Sequence, residues 1–276
     1  MPRLLVIGLA SLDRLHLPGR AVVEVAGGAG LYAALGMVAT GAEVALFAPR
    51  LRDWPVALQR AAGQLTWLGP IVESADLPKL EIAHHGGGRA MLLGASWGGE
   101  AALDPEGLPG DIGRYDIVHI AALRSAARQS AFVAACRARG CRALSIGTYG
   151  RIAQAETATV RGLLAAADFF FMNENEARSV IGAGEPPDAV DRPGLARVAT
   201  FVTQAERGAW AISMGTACHA PATPAREVDP TGAGDVFCGT SLARIALGDD
   251  VCAAARAGVI AASRVIGQAG PAALLN

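Results

Sequence analysis

The sequence is poor in charge and in aromatic side chains. Charged residues make up 18% of its 276 residues and aromatic residues 5%, and 24 Lys and Arg against 25 Asp and Glu give a formal net charge of −1. Because a polyanion binds to a basic surface, we expect no nucleic-acid partner. The apolar runs are too short to cross a bilayer, so we expect no membrane partner. The 52% of hydrophobic residues instead indicates a large buried core.

Several motifs that carry chemistry are also missing. The first apolar segment is not followed by G-x-G-x-x-G, which argues against a dinucleotide-dependent oxidoreductase, and the phosphate loop G-x-x-x-x-G-K-[ST] is absent. The cysteines form no C-x-x-C pair, so a structural metal site is not expected. An odd, scattered set of cysteines is typical of reduced, buried thiols in a cytoplasmic protein. The five are Cys136, Cys141, Cys218, Cys238 and Cys252.

The sequence does contain apolar strands that alternate with helical segments and are joined by turns rich in glycine. This alternation indicates an α/β fold with a mainly parallel sheet that helices cover on both faces. Two hairpins, at 15–25 and 79–93, are predicted beside it. No repeat or long linker divides the chain, so we expect a single domain over 1–276. The strands predicted outside these two hairpins are 3–9, 43–48, 64–68, 115–121, 142–146, 168–172 and 199–203, with a further pair at 210–213 and 217–220.

The most informative segment is 229–235, with the sequence D-P-T-G-A-G-D, which leads into a helix of small residues. Its glycines let a ligand approach the backbone, and the N–H groups of Gly232, Ala233 and Gly234 would meet an anion at the start of the helix. In the first turn, the carboxylate of Asp235 suits a base that takes a proton from an attacking hydroxyl. The alternative is an acidic residue that only caps the helix.

This segment resembles, without a gap, the C-terminal signature of the ribokinase-like sugar kinases, also called the PfkB family of carbohydrate kinases. The resemblance implies a ribokinase-like three-layer sandwich with a small β-lid, which we expect at about 12–25 and 79–95. It also implies that Asp235 is the catalytic base, that Gly232, Ala233 and Gly234 form the anion hole, and that ATP and Mg²⁺ are the cofactors.

Residues that bind the phosphate acceptor are expected near the N-terminus. Asp13 follows the first strand, where open α/β sheets bind ligands, and the pair Gly27 and Gly28 offers amides before a helix. The resemblance implies that Asp13 holds acceptor hydroxyls, and the alternative is a surface turn. Tyr32 stands where one familiar form of the family has Asn, so it either lines a pocket for a different substrate or packs in the core.

The nucleotide and its metal ion are expected at the ends of later strands. Asn173 and Glu176 resemble the family's N-x-x-E motif, which implies binding of Mg²⁺ and phosphate oxygens, partly through water. Glu176 is the residue expected nearest the metal. The alternative for this pair is a capped helix start with an acidic first turn.

A second nucleotide segment is expected after the strand at 199–203. Thr203 and Gly208 match the family's nucleotide loop, but Ala205 replaces its first glycine, which adds a methyl group where a nucleotide passes close to the backbone. Thr231 in the signature is expected to contact the nucleotide as well. Gly147 stands where many relatives have Asp, so one expected polar group is missing.

Two adjacent histidines, His84 and His85, lie on the first arm of the hairpin at 79–93. Neighbouring residues of a strand point to opposite faces, so the pair does not readily share a metal ion. We expect a role in the lid or at the surface instead.

These features predict an ATP-dependent phosphotransferase whose acceptor is a hydroxyl of a small sugar, with a polyol or nucleoside as alternatives. The family resemblance further implies a homodimer through the lid. The competing hypothesis is a non-catalytic sensor that binds a sugar or nucleotide on a kinase fold. It is motivated by Ala205, by Gly147 and by the lack of a carboxylate near Leu123.

Overall fold

A computed structural model of the protein describes residues 1–86, 90–182, 185–186 and 197–275. These residues form a nine-stranded sheet and a separate four-stranded sheet. The strands are β1 (Arg3–Ile7), β2 (Ser11–His16), β3 (Val23–Gly27), β4 (Glu43–Phe47), β5 (Thr66–Leu68), β6 (Lys79–His84), β7 (Ala90–Ser96), β8 (Ile117–Ile120), β9 (Leu144–Gly147), β10 (Phe169–Asn173), β11 (Ala199–Thr203), β12 (Ala209–Ser213) and β13 (Thr216–Ala220).

The large sheet has the order β13-β12-β11-β10-β9-β8-β1-β4-β5. Its strands pair in parallel from β11 to β5, and β12 and β13 run antiparallel at one edge. The mainly parallel sheet predicted from the apolar strands is therefore confirmed. Because the strands are parallel, their carboxyl ends lie along one edge, where ligands bind in open α/β sheets.

Helices cover both faces of the large sheet and bury one apolar cluster on each. The cluster on one face includes Phe132, Leu163 and Val180, and the cluster on the other face includes Leu31 and Leu242. The helices are α1 (Ala29–Ala39), α2 (Val56–Gly63), α3 (Ala126–Ala138), α4 (Gly150–Ala155), α5 (Thr157–Ala166), α6 (Glu174–Ile181), α7 (Ala233–Ala246) and α8 (Val251–Val265).

The four-stranded sheet has the order β3-β2-β6-β7. Both predicted hairpins are present, since β2 pairs antiparallel with β3 and β6 pairs antiparallel with β7. Part of the glycine turn predicted between β6 and β7, at 87 and 88, lies outside the described residues. Every residue of the edge strand β7 is exposed.

Close packing of α1 against α7 brings the N-terminal and C-terminal parts of the site together. A Cβ at Gly239 would lie 2.0 Å from the carbonyl oxygen of Ala33, and a Cβ at Gly36 would lie 3.0 Å from that of Val236. The two backbones therefore approach to distances that larger side chains would prevent. This contact fixes the position of Tyr32 on α1 relative to the start of α7.

Two expectations from the sequence need correction. Cys218 on β13 and Cys252 on α8 form a disulfide, so the expectation of five reduced thiols was wrong for this pair; Cys136, Cys141 and Cys238 are free and buried. The two cysteines are distant in sequence, and they come together because α8 packs on the β12–β13 hairpin.

The helix predicted for 154–166 is also corrected, because it is divided at Glu156 into α4 and α5. Within the described ranges, no helix has the length and apolarity needed to span a membrane.

Candidate active site

The segment 229–235 forms a tight turn at the N-terminus of α7. Gly232 is the residue before the helix and has φ 75°, in the left-handed region that favours glycine. Asp235 lies in the first turn of α7 and is partly exposed, whereas the residues that follow it, 236–243, are buried. The carboxyl group therefore lies at the boundary between the core and an accessible surface.

Two of the three predicted anion-hole amides have no hydrogen-bond partner among the described residues. The N–H of Ala233 donates to the carbonyl of Pro230 at 3.2 Å. In the described part of the chain, the N–H groups of Gly232 and Gly234 donate to no protein group. The first amides of a helix without internal partners attract negative charge, together with the helix dipole. The start of α7 can therefore accept an anion at two backbone donors.

Tyr32 packs its ring on this turn. A Cβ at Gly232 would lie 2.3 Å from the ring. The side chain is 1% exposed, and its hydroxyl has no hydrogen-bond partner among the described residues. Burial raises the pKa of Tyr32 well above its ordinary value, and the charges of Asp229, Asp13 and Asp235 raise it further. The hydroxyl is thus a buried, unpaired polar group close to three carboxyl groups.

Asp13 on β2 is buried beside Gly27 on the paired strand β3. A Cβ at Gly27 would lie 1.9 Å from Asp13 Oδ2, so this carboxyl group needs a glycine opposite it. Burial raises the pKa of Asp13 to about 6, the Ser11 hydroxyl and the Leu80 backbone N–H lower it, and the charge of Asp229 raises it further. In the described chain, neither Asp13 Oδ1 nor Ser11 Oγ has a partner in hydrogen-bonding geometry.

Gly28 precedes α1 with φ 100°, and a Cβ there would lie 2.5 Å from the carbonyl oxygen of Leu9. The chain therefore passes close to the end of β1 at this point, and only glycine fits. The structure thus places Gly27, Gly28, Asp13 and Tyr32 in one region next to the start of α7.

Asn173 and Glu176 form a capping box at the start of α6. The Glu176 carboxylate accepts from the Asn173 backbone N–H at 2.9 Å and from its side-chain amide at 2.6 Å, and Asn173 Oδ1 accepts from the Glu176 N–H at 3.0 Å. The helix-capping alternative is therefore present in the structure. Burial raises the pKa of Glu176 to about 7, against the effect of these hydrogen bonds.

Glu176 and Asp235 lie close enough to interact through their charges. Burial raises the pKa of Asp235 from 3.8 to about 7, and the charge of Glu176 is the second cause. The described residues hold no group of three or more His, Cys, Asp or Glu side chains that could bind a metal. The carboxyl oxygens of this pair are donors of the kind that Mg²⁺ prefers, and Mg²⁺ keeps much of its water and needs few protein ligands.

The expected nucleotide residues lie at the ends of β10 and β11. Thr203 pairs in register with Asn173. Ala205 is exposed and has φ 49°, so it adopts the left-handed conformation that a glycine takes at lower energy. Gly208 has φ 96°, and a Cβ there would lie 2.1 Å from the carbonyl oxygen of Ala220. The side chain of Thr231 contacts His84 at 3.1 Å.

Two buried polar residues at the ends of strands were not predicted from the sequence. His84 is buried and bonded to the turn before α7, whereas His85 is exposed, as strand alternation predicts. Glu100 accepts from the Arg124 N–H at 3.1 Å. Arg124 lies just past β8, and the residues near Leu123 in the sequence include no carboxylate. Its Oε2 is buried without a hydrogen-bond partner in the described chain. Only the fold brings His84 to the turn before α7 and Glu100 to the end of β8, so the local sequence pattern gives no signal for them.

The fold and the turn at 229–235 define an α/β protein with an anion site and a carboxyl group at one helix start. The model of the pfkB family of carbohydrate kinases matches residues 82–276. The chain belongs to this family. The comparison with curated proteins gave no match.

Solved structures share the fold over nearly the whole chain. A probable sugar kinase protein from Rhizobium etli CFN 42 has TM-score 0.84 at 19% identity, covering 98% of this chain and 94% of that chain. Adenosine kinase from Sinorhizobium meliloti has TM-score 0.83 at 19% identity, covering 98% and 95%. Ribokinase from Cryptococcus neoformans var. grubii serotype A, in complex with ADP, has TM-score 0.75 at 17% identity, covering 100% and 97%.

Proposed function

We propose that this protein is a kinase that transfers the γ-phosphoryl group of ATP to a hydroxyl of a small sugar. The observation that carries the proposal is the group of unpaired buried polar atoms around Asp13 and Tyr32, next to Asp235 and the free amides of α7. Buried polar groups normally have partners, because leaving one unpaired costs about 1–3 kcal/mol. A bound polyhydroxy acceptor supplies the missing partners.

Asp235 acts as the general base in this proposal. Its carboxylate takes the proton of the attacking hydroxyl as the new oxygen–phosphorus bond forms and the bond from the γ-phosphorus to the leaving ADP breaks. A pKa near 7 suits this proton transfer at neutral pH. The amides of the anion hole at Gly232, Ala233 and Gly234 stabilise the charge on the transferring phosphoryl group. The Gly232 and Gly234 N–H groups are free for this, and that of Ala233 must first leave the Pro230 carbonyl.

Three side chains bind the acceptor. Asp13 Oδ1 and Ser11 Oγ accept or exchange hydrogen bonds with its hydroxyls, and the Tyr32 hydroxyl contacts it from the side of the α7 turn. The amides of Gly27 and Gly28 lie beside them and complete the site. The four-stranded sheet, which carries Asp13, serves as a lid, and 1–276 forms one kinase domain with this lid inserted.

The nucleotide binds along Asn173, Thr203, Ala205, Gly208 and Thr231. The ADP complex of the fungal ribokinase supports a nucleotide cofactor on this fold. Mg²⁺, held by Glu176 through water and by phosphate oxygens, would offset the charge of the phosphates. The neighbouring carboxyl groups of Glu176 and Asp235 support a cation here, because two like charges that interact, as the raised pKa of Asp235 indicates, are stabilised by a positive ion beside them.

The alternative acceptors are a nucleoside and a polyol. Similarity to an adenosine kinase supports the nucleoside. The alternative of a non-catalytic sensor is supported by Ala205, whose left-handed backbone makes the nucleotide loop costlier to form than glycine would.

Turnover of ATP over a panel of sugars, polyols and nucleosides tests the proposal. We expect ADP release that depends on one class of acceptor and on Mg²⁺. Ligand-induced increases in melting temperature without ADP release for any acceptor would contradict the kinase and favour the sensor. Faster release with adenosine than with any sugar would favour the nucleoside kinase.

We further propose a homodimer through the lid and a cytoplasmic location. The edge strand β7 exposes Met91, Leu92 and Leu93, which are 51%, 54% and 48% accessible, and an open apolar edge favours pairing with a second copy. A Leu92→Glu variant should run as a monomer in size-exclusion chromatography.

The need for ATP favours a cytoplasmic location. The disulfide between Cys218 and Cys252 argues against it, because disulfides persist mainly in oxidising compartments. Thiol titration of protein extracted without oxidation decides this point.

A further inference from the structure

The last residue of the lid strand β6, His84, contacts the turn before α7. Its Nε2 lies 3.1 Å from Asp229 Oδ1 and 3.1 Å from Thr231 Oγ1. The His84 and Asp229 side chains are 2% and 0% exposed. The contact with Thr231 Oγ1 has hydrogen-bonding geometry, and the Asp229 carboxylate, which can only accept, lies at the same distance from Nε2 and favours the tautomer with the hydrogen on Nε2. A residue of the lid thus bonds directly to the segment that forms the anion site.

Asp229 extends this contact to two further segments. Its Oδ1 accepts from the Thr231 N–H at 2.9 Å, and its Oδ2 accepts from the Gly270 N–H at 2.7 Å. Gly270 in turn packs on the lid, since a Cβ there would lie 2.7 Å from the Cβ of Val25 on β3. One buried carboxylate therefore joins the lid strand, the anion turn and the segment after α8.

Packing alone does not explain a histidine at position 84. Its Nδ1 is buried and has no hydrogen-bond partner among the described residues. An unpaired buried polar atom lowers stability, which an apolar side chain of similar size would avoid. The contact of Nε2 is therefore the physical reason for a histidine at this position.

We propose that His84 is a positioning residue that couples the lid to the anion turn through Asp229 and Thr231. The inference rests on the proposed function, because it assigns the contact a role in phosphoryl transfer. When the lid is seated, Nε2 fixes the Asp229 carboxylate, which orients the Thr231 amide and the turn that leads to Gly232. The geometry of the anion hole then depends on the position of the lid.

Hydrogen exchange of the protein without substrate tests the coupling directly. In His84→Leu, the amides of Thr231 and Gly270 should exchange about tenfold faster or more, because their acceptor loses its fixed partner. His84→Gln, which keeps a donor near the Nε2 position, should restore most of the protection. The matched control is His85→Leu, since His85 is adjacent and exposed, and it should leave both amides unchanged.

Kinetics separate positioning from a structural role. We expect kcat per folded molecule to fall about tenfold or more in His84→Leu, with the KM for ATP changed less than about threefold, and His84→Gln to recover kcat. Asp229→Asn, which keeps the side-chain shape, provides the same readouts if His84→Leu does not fold. Unchanged exchange at Thr231 and Gly270 overturns the coupling, and an unchanged kcat overturns the role in transfer. The exchange result needs no turnover, so it stands even if no acceptor is phosphorylated.

Discussion

The ring of Tyr32 lies directly on the backbone of Gly232, so close that a Cβ at Gly232 would come within 2.3 Å of it. Tyr32 lies on α1, the helix after the lid strand β3, and Gly232 lies in the turn that begins α7. Their contact joins the acceptor side of the site to the anion side, and close packing of α1 on α7 holds both in place.

The Gly232→Ala variant should lose nearly all turnover. A Cβ would overlap the Tyr32 ring and force a left-handed φ on a residue that disfavours it, which together cost about 2 kcal/mol or more. The measurement is kcat/KM together with the melting temperature.

Gly248→Ala is the matched control for this change. Gly248 follows the same helix with φ 102°, and a Cβ there would meet nothing within 4 Å. It should lower stability by about 1–2 kcal/mol without changing kcat. Equal turnover of the two variants would contradict a specific role for the Tyr32–Gly232 contact.

Replacing Ala205 with glycine should improve the nucleotide site. The change relieves the left-handed backbone at φ 49° and removes the methyl group, so we expect a severalfold lower KM for ATP and a gain of up to about 1 kcal/mol in unfolding free energy. Met214→Gly is the control, because Met214 has φ 47° in the β12–β13 turn and is 86% exposed. It should share the gain in stability but leave the KM unchanged. An unchanged KM in Ala205→Gly would show that this loop does not limit nucleotide binding.

The Tyr32→Phe variant should be more stable than the parent protein and less active. Removing a buried hydroxyl without a partner should raise the unfolding free energy by about 1 kcal/mol. The same hydroxyl contacts the acceptor in our proposal, so the acceptor KM should rise. Tyr115→Phe is the control, because the Tyr115 hydroxyl accepts from Arg114 at 2.9 Å and should not stabilise the protein when removed. An unchanged acceptor KM in Tyr32→Phe would make Tyr32 a packing residue.

Activity should depend on pH through Asp235. Its pKa is about 7 in the folded protein, and a general base must be ionised, so kcat/KM should fall about tenfold per unit as pH drops below about 7. The folded pKa lies above the ordinary 3.8, so the folded state binds more protons between these values, and the unfolding free energy falls as pH rises through this window.

The Asp235→Asn variant tests the effect of the raised Asp235 pKa on stability without relying on activity. It should melt at a higher temperature than the parent protein at pH 8 and show a smaller difference at pH 5, because it removes a partly buried charge that forms only at the higher pH. A difference in melting temperature that does not change with pH would contradict the raised pKa of Asp235.

The sequence predicted the parts of this molecule that local pattern determines. Alternating apolar strands and helices gave the parallel sheet, and the segment 229–235 predicted the helix start with Asp235 in its first turn. Strand alternation correctly separated the environments of His84 and His85. These features depend on residues close together in the chain.

Contacts between distant segments could not be predicted in this way. His84 and Thr231 are 147 residues apart, and Glu100 reaches Arg124 from a segment between the lid and β8. The disulfide joins cysteines 34 residues apart that meet only because α8 packs on β13. The sequence pattern of Asn173 and Glu176 is typical of both a metal-binding motif and a helix cap. The structure shows that the cap is formed.

The central claim is that Asp235 is the base for phosphoryl transfer to an acceptor hydroxyl, and the Asp235→Ala variant tests it most directly. Acceptor-dependent ADP release should fall by about 10³-fold or more, while acceptor binding, measured by calorimetry, stays within about threefold of the parent protein. Turnover near the parent rate in this variant would contradict the account.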